Sequence, residues 1–166
     1  CGVPVVVTAG KGGRALVVSM SPQAAQSGVS AGMSAAQATA IASTLVLRPA
    51  CADAERAAQA ALCDVAQSFS PRVEDAGGGM VYLDCEGLQS LHGSERDLAR
   101  ALVGAGMRVG LEIHVGIAST RIVARLAAQE GGGVTVVPRE EEWRFLSPLP
   151  IEVLAPPPPI RQRLAR

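Results

Sequence analysis

Between residues 52 and 137 the sequence alternates helix-like and strand-like segments, and this alternation limits the folds that the chain can adopt. Three segments repeat apolar residues every three or four positions, as an amphipathic helix does: residues 52–69, 94–106 and 119–131. Three shorter segments are rich in aliphatic residues and indicate strands: residues 80–86, 111–117 and 134–137. We therefore expect an α+β fold, for which a split βαβ, or ferredoxin-like, sandwich suits the length better than a full doubly wound sheet.

The segments on either side of this region have a different character. In the first third, short apolar runs predict three strands, of which the first two form a hairpin: residues 4–8, 15–19 and 44–48. Gly28 and Gly32 separate two short helices between the second and third strands. After residue 148 the chain becomes rich in proline, and residues 156–159 predict a stiff linker that leads into a basic helix at 160–166.

Charge and aromatic content restrict how the chain could bind nucleic acid. The 166 residues carry a formal net charge of zero, so the chain as a whole has no positive field that attracts DNA strongly. Aromatic residues make up 2%, which leaves few rings on which exposed bases could stack. Any contact with DNA must be local, and arginine must supply it, because Lys11 is the only lysine.

The cysteine and histidine pattern does not indicate a metal or disulfide framework. The four cysteines lack C-x-x-C spacing, and neither His92 nor His114 stands at ligand spacing from a cysteine, so we expect core cysteines and surface histidines. No signal peptide is recognisable, and no apolar run reaches the roughly 20 residues that span a bilayer. A reduced, cytoplasmic protein with no membrane partner is the expectation.

Two short motifs resemble enzyme signatures and have simpler explanations. Residues 28–32 match the G-x-S-x-G nucleophile elbow, and Asp84 with His92 or His114 would follow in hydrolase order. An elbow needs a buried strand before the serine, whereas small and polar residues precede it here, so a turn between helices is the better interpretation. Residues 10–13 resemble a P-loop but lack its spacer and its Ser or Thr, and a hairpin turn is expected.

Two features have more functional content. A glycine triplet, residues 77–79, stands at the entrance of a predicted strand, where the backbone could turn sharply or be approached closely. Arg121 and Arg125 lie four residues apart on a helix whose start contains Thr120, so both guanidinium groups could share one face beside a phosphate-binding helix N-terminus. A solvated helix face explains the same spacing equally well.

Four segments, taken in order, resemble the Y-family (translesion) DNA polymerases, and most closely their ImuB-type branch. SPRVEDAGGGMVYLD at residues 70–84 is similar to the palm motif S-P-x-V-E-x-x-x-I-D-E-A-Y-L-D, and VGIASTRIVARLAA at 115–128 is similar to V-G-I-A-x-N-K-x-x-A-K-x-A-A. SGVSAGMSAAQ at 27–37 resembles the fingers motif F-G-V-x-S-G-M-P-x-x-E-A, and FLSPLPIEVL at 145–154 resembles the entry to the thumb. The resemblance implies fingers at 1–49, palm at 50–147, and the start of a thumb at 148–166.

The departures from the family pattern concern the catalytic chemistry. Where the family has the Asp-Glu pair that binds metal, this chain has Gly79 and Met80. The triphosphate-contacting motif S-Y-E-A-R is replaced by SPQAA at residues 21–25, and the lysine of K-P-N-G is missing from residues 129–133. Asp84 corresponds to a structural aspartate of the family. The strand that would carry another metal-binding aspartate, and the little finger, are absent from these residues.

The resemblance therefore implies a non-catalytic scaffold that supports translesion synthesis in damage-induced (SOS) mutagenesis. It implies no catalytic residue, no metal site and no cofactor, with Mg²⁺ required only if polymerase activity is retained. Thr120, Arg121 and Arg125 would make weak, local contacts with primer-template DNA. A replicative-type DNA polymerase, a RecA-like accessory protein and the sliding clamp are the implied protein partners. Two alternatives stay open: a weakly active polymerase, and a ferredoxin-like interaction module without a DNA role.

Overall fold

The computed structural model describes residues 3–10 and 12–154. These residues divide into two compact units, one ending at Ala54 and the other beginning at Glu55. The subdomain boundaries expected from the resemblance, at residues 49 and 147, stay predictions. The proline run and the basic tail helix expected after residue 154 lie outside the described residues.

The first unit contains a three-stranded sheet in the order β2-β1-β3, formed by β1 (Val5–Ala9), β2 (Leu16–Met20) and β3 (Val46–Pro49). The predicted hairpin is confirmed, because β1 and β2 are antiparallel, with a bulge after Val7. Strand β3 pairs with β1 in parallel, and the long segment between them provides the crossover that parallel pairing needs.

Two short helices cover one face of this sheet: α1 (Pro22–Gln26) and α2 (Ala35–Ile41). Each begins at a serine, since Ser21 and Ser34 accept hydrogen bonds from backbone N–H groups in the first turn. The core of the unit lies between sheet and helices and contains these buried residues: Val6, Val17, Ala24, Val29, Ala38 and Ala42. The G-x-S-x-G pattern is confirmed as a turn between the helices, with Gly28 at φ 89° and Gly32 at φ 85°.

The described part of the second unit contains two separate two-stranded sheets. An antiparallel hairpin is formed by β4 (Val73–Gly77) and β5 (Met80–Leu83), and a parallel pair is formed by β6 (Val115–Ile117) and β7 (Val134–Val136). The helices of this region are α3 (Ala52–Gln67), α4 (Gln89–His92), α5 (Glu95–Arg108), α6 (Arg121–Gly131) and α7 (Glu142–Leu146). Short 3-10 turns lie at Arg139–Glu141 and Ile151–Leu154 in this unit and at Gly12–Arg14 in the first.

Two details of this unit differ from the sequence-based expectations. Strand β4 was not predicted, because its sequence VEDAG is polar and exposed and lacks the alternation of a half-buried strand. The predicted strand at 111–117 is shorter, since regular pairing covers only Val115–Ile117. Leu111 instead donates its N–H to the Gly106 carbonyl and closes the end of α5.

Apolar contacts among α3, α5 and α6 and the strands provide the cores of this unit. One buried cluster contains Val65, Leu88, Leu98, Leu102 and Ala105, and another contains Val123, Ala127 and Val137. The predicted capping box of α5 is confirmed, because Ser94 and Asp97 bond reciprocally to each other's backbone. Among the described residues no helix is long and apolar enough to cross a membrane.

The prediction of core cysteines and surface histidines is only partly correct. Cys51 is exposed, while Cys63 and Cys85 are half-buried. His114 is exposed as expected, whereas the His92 ring packs against Phe69 with a centroid separation of 5.2 Å.

Candidate polymerase-like site and nucleic-acid interface

The turn between β4 and β5 occupies the position where the resemblance places the metal-binding Asp-Glu pair. Gly77, Gly78 and Gly79 have φ angles of 70°, 60° and 80°, a region that residues with a β-carbon rarely adopt. The glycine triplet thus forms the sharp turn that the sequence predicts. Met80 begins β5 directly after it.

Gln59 of α3 binds this turn through both the oxygen and the nitrogen of its side-chain amide. Its Oε1 accepts a hydrogen bond from the Gly79 N–H at 2.8 Å, and its Nε2 donates to the Met80 carbonyl at 3.1 Å. The same Nε2 donates to Asp75 Oδ1 at 2.6 Å, and Asp75 Oδ1 also accepts from the Gly77 N–H at 2.8 Å. Gln59 therefore fixes both strands of the hairpin to the helix.

The residues at this turn do not fit a divalent-cation site. Magnesium prefers carboxylate and carbonyl oxygens, and neither Gly79 nor Met80 has a side chain that offers one. Asp75 lies next to the turn, but its Oδ1 is engaged by Gln59 and Gly77. Within residues 3–10 and 12–154, no group of three or more His, Cys, Asp or Glu side chains is placed to hold a metal ion.

Burial and negative charge act together on the thiol beside Gln59. Removal from water raises the pKa of Cys63, and the nearby Asp75 carboxylate raises it further. The thiol form is favoured at neutral pH, so Cys63 is a poor nucleophile.

Two cavities lie between β5 and β6, which belong to different sheets. One has a volume of about 380 Å³ and apolar walls that include Leu83, Leu102 and Val115, with Gly79 and Arg125 also among its lining residues. The other is a more polar cleft of about 900 Å³ between the β4–β5 hairpin and the start of α6.

The start of α6 forms one wall of the polar cleft. Thr120 is the N-cap residue, and its hydroxyl accepts a hydrogen bond from the Val123 N–H. Just before it, the Ser119 N–H donates to Glu142 Oε1 at 2.8 Å. A carboxylate of the same chain therefore occupies one backbone donor of the expected phosphate-binding end.

Arg121 is engaged by the β4–β5 hairpin across the cleft. Its Nη1 donates to Glu74 Oε1 at 2.8 Å, and its Nη2 lies 2.6 Å from Glu74 Oε2, which is the bidentate geometry of an arginine–carboxylate pair. The guanidinium also lies over the Tyr82 ring, 5.5 Å from its centroid. Glu74 and Tyr82 face each other across the hairpin, so one arginine contacts a cross-strand pair.

The expected DNA-contacting residues do not share a single cavity. Thr120 and Arg121 line the polar cleft, whereas the half-buried Arg125 lines the apolar one. Their role in DNA binding stays a prediction.

Asp84 directly follows β5, and its carboxylate makes structural contacts. Its carboxylate accepts hydrogen bonds from the Glu86 N–H and from Arg72 Nη1, both at 2.9 Å. The backbone donor at Glu86 is the main cause of the lowered pKa of Asp84, and Arg72 lowers it further. These contacts connect the two ends of the hairpin.

Comparison with known proteins identifies the family to which this architecture belongs. A sequence model described as the impB/mucB/samB family matches residues 1–129, well over half of the chain. The chain belongs to the impB/mucB/samB family of Y-family polymerase domains. The resemblance to the Y-family DNA polymerases is confirmed.

Curated relatives of this Y-family domain have two different names. DNA polymerase IV of Dehalococcoides mccartyi strain CBDB1 is 36% identical over 95 residues, which cover 54% of this chain and 24% of that protein. Protein ImuB of Caulobacter vibrioides strain NA1000 / CB15N is 33% identical over 127 residues, which cover 76% of this chain and 28% of that protein. The chain thus spans about a quarter of the length of these relatives.

A solved structure confirms the fold class. The crystal structure of DinB from Sulfolobus solfataricus superposes with a TM-score of 0.78 and 24% identity, covering 91% of this chain and 46% of that one. The mixed α/β architecture is therefore that of the Y-family polymerases.

Sequence reasoning missed the residues that hold the site together: Gln59, Glu74 and Glu142. Gln59 and Glu142 belong to no motif, and Glu74 matches the palm motif, which does not indicate its partner. Each of the three binds a residue distant in sequence. A local signal exists for Gln59, which precedes the inward-facing Leu62 by one helical turn and so lies on the same side of α3.

Proposed function

We propose that this chain is a non-catalytic Y-family polymerase domain that supports translesion synthesis as a DNA- or protein-binding scaffold. The observation that carries the proposal is the pair Gly79 and Met80 in a turn bound by the neutral amide of Gln59. A glycine without a side chain and a methionine thioether stand where the resemblance places two carboxylates.

The physical reason is electrostatic. Phosphoryl transfer between nucleotides requires cations that stabilise the attacking and leaving oxygens, and clustered carboxylates hold those cations. Gly79 and Met80 offer no negative charge, and Asp75 alone cannot replace two ligands. No metal cofactor is therefore part of the proposal.

The scaffold role is supported by the relative named Protein ImuB, which aligns with 76% of the chain. On this proposal the domain acts in the cytoplasm in damage-induced mutagenesis, together with a replicative-type polymerase, a RecA-like protein and the sliding clamp. The polymerase fold would then be retained for a DNA-contacting surface and for its partner surfaces.

DNA contact is assigned in this proposal to Thr120, Arg121 and Arg125. Arginine binds phosphate oxygens in a fork, and the start of α6 adds the positive end of a helix dipole. Because the net charge of the chain is zero, the affinity should be modest, and its logarithm should fall with the logarithm of salt concentration by about one unit per phosphate contact.

Primer extension tests the catalytic part of the proposal. The full-length protein is incubated with a labelled primer-template and all four deoxynucleotides, with Mg²⁺ or Mn²⁺, beside an active Y-family polymerase as the positive control. We expect no extended primer with either metal. Metal-dependent extension that persists in independent preparations would overturn the proposal.

The alternative hypothesis is a weakly active polymerase, and the relative named DNA polymerase IV, at 36% identity, favours it. That hypothesis predicts slow extension by the same protein, with Mn²⁺ more effective than Mg²⁺. The extension assay therefore separates the two.

Fluorescence anisotropy with the same primer-template separates the scaffold from an interaction module without a DNA role. A linear fall of the logarithm of the binding constant with the logarithm of the salt concentration supports the DNA-contacting scaffold. Absence of salt-dependent binding by the full-length protein favours the interaction module.

A further inference from the structure

Glu74 of the β4–β5 hairpin places its carboxylate against the guanidinium of Arg121, the arginine proposed to contact DNA. Both oxygens of Glu74 face the guanidinium, at 2.8 and 2.6 Å, and Tyr82 lies under the same group. All three contacts connect α6 to the β4–β5 hairpin. At the adjacent backbone, Glu142 accepts from the Ser119 N–H.

A carboxylate and a phosphate present similar pairs of oxygens to an arginine fork. A DNA phosphate that approaches the start of α6 must therefore exchange with Glu74 for the same donors of Arg121. The side chains of Arg121 and Glu74 are 66% and 50% exposed, so a phosphate could reach the pair without unfolding of the domain.

We propose that Glu74 is a positioning residue that sets the DNA affinity of this surface by holding Arg121 on the hairpin. Arg121 then binds either Glu74 or DNA, and a DNA phosphate replaces the Glu74 carboxylate when the start of α6 binds DNA. This inference rests on the proposed DNA-contacting role of α6.

If the Glu74–Arg121 ion pair served only stability, removal of Glu74 would lower stability and leave DNA affinity unchanged. Exposed ion pairs contribute little to the stability of a folded protein. Removal of Glu74 should leave the fold intact, and its effect should appear in DNA affinity.

The test measures anisotropy of a fluorescein-labelled primer-template with the full-length protein and its variants, from about 50 to 300 mM KCl, a range over which phosphate contacts weaken strongly. The variant Glu74→Gln keeps the shape of the side chain and removes its charge. Glu130→Gln is the matched control, because it makes the same charge change at the exposed far end of α6.

We expect Glu74→Gln to bind about three- to tenfold more tightly than the wild type, with a salt slope steeper by about one, as one freed phosphate contact predicts. Glu130→Gln should bind within about twofold of the wild type, because it lies outside the contact. Arg121→Gln should bind more weakly, and Glu74→Gln should have no effect when added to it. Circular dichroism spectra and thermal midpoints establish that each variant is folded.

The outcomes distinguish this inference from the proposed function. Equal binding by wild type and Glu74→Gln, or equal gains from Glu74→Gln and Glu130→Gln, overturns the role of Glu74 and leaves the DNA-contacting scaffold standing. Failure of every variant to bind DNA overturns both. An additive effect of Glu74→Gln in the Arg121→Gln background would show that Glu74 acts on some other group.

Discussion

Gly116 of β6 lies so close to Ala124 of α6 that a β-carbon on Gly116 would overlap the Ala124 carbonyl oxygen. The absence of a side chain lets helix α6 pack directly on the strand backbone. This approach positions the start of α6, with Thr120 and Arg121, at the polar cleft.

Gly116→Ala should destabilise the protein, because the clash is with helix backbone that cannot rotate away. Overpacking of this kind costs about 1–3 kcal/mol or more. Urea denaturation followed by circular dichroism measures the loss of unfolding free energy.

Gly104→Ala provides the matched control. Gly104 lies within α5, and only the end of the Arg108 side chain comes within 4 Å of a β-carbon placed there. The same substitution should stabilise the helix by about 0.5–1 kcal/mol. Equal effects of the two variants would contradict the close packing at Gly116.

Gln59→Ala should loosen the glycine turn, because it removes the amide that pairs with the Gly79 N–H, the Met80 carbonyl and Asp75. A lost hydrogen bond that leaves part-buried groups unpaired costs about 1–2 kcal/mol. Urea denaturation measures the change, with the exposed Gln67→Ala of the same helix as control. A loss no greater than that of the control would mean that water replaces Gln59 without penalty.

Thr120→Ala should destabilise α6, since it removes the hydroxyl that accepts from the Val123 N–H. Replacement of an N-cap threonine by alanine costs about 1 kcal/mol, whereas Thr120→Ser keeps the acceptor and should cost much less. Thermal denaturation of the two variants measures the difference. Equal losses would indicate that packing of the threonine methyl group, and not capping, explains the effect.

Acid should remove the stabilising contribution of Asp84. Hydrogen bonds from the Glu86 N–H and Arg72 lower its pKa in the folded protein, so the unfolded chain takes up a proton at a higher pH than the folded one. The contribution is present above the unfolded pKa of about 4 and is lost as pH falls through the folded pKa.

The variant Asp84→Asn tests this directly. Its difference from the wild type in unfolding free energy should be largest near neutral pH and should shrink towards pH 3, as urea titrations at several pH values would record. A difference that is constant with pH would assign the effect to side-chain shape and not to charge.

Most of the secondary structure was predictable because it depends on neighbouring residues. Apolar repeats indicate α3, α5 and α6, and serine and threonine caps mark where helices begin, as at Ser94 and Thr120. Strand β4 escaped prediction because an exposed strand in a two-stranded hairpin needs no apolar face, and VEDAG has none.

The candidate site was predictable only in its local part. The sequence indicates a sharp turn at the glycine triplet, since three successive glycines permit positive φ angles. The partners of that turn and of Arg121 could not be read in the same way. Gln59 and Asp75 are 16 residues apart, and Arg121 and Glu74 are 47 residues apart.

The sequence by itself determined the family, the longer helices and their caps, and the prediction that Gly79 and Met80 stand in place of the family's carboxylates, because each depends on residue type and on spacing along the chain. The tertiary structure decided that Gln59 closes the turn and that Glu74 neutralises Arg121. Such contacts form only when packing brings distant segments within hydrogen-bond range, and no spacing in the sequence encodes which charge will meet which.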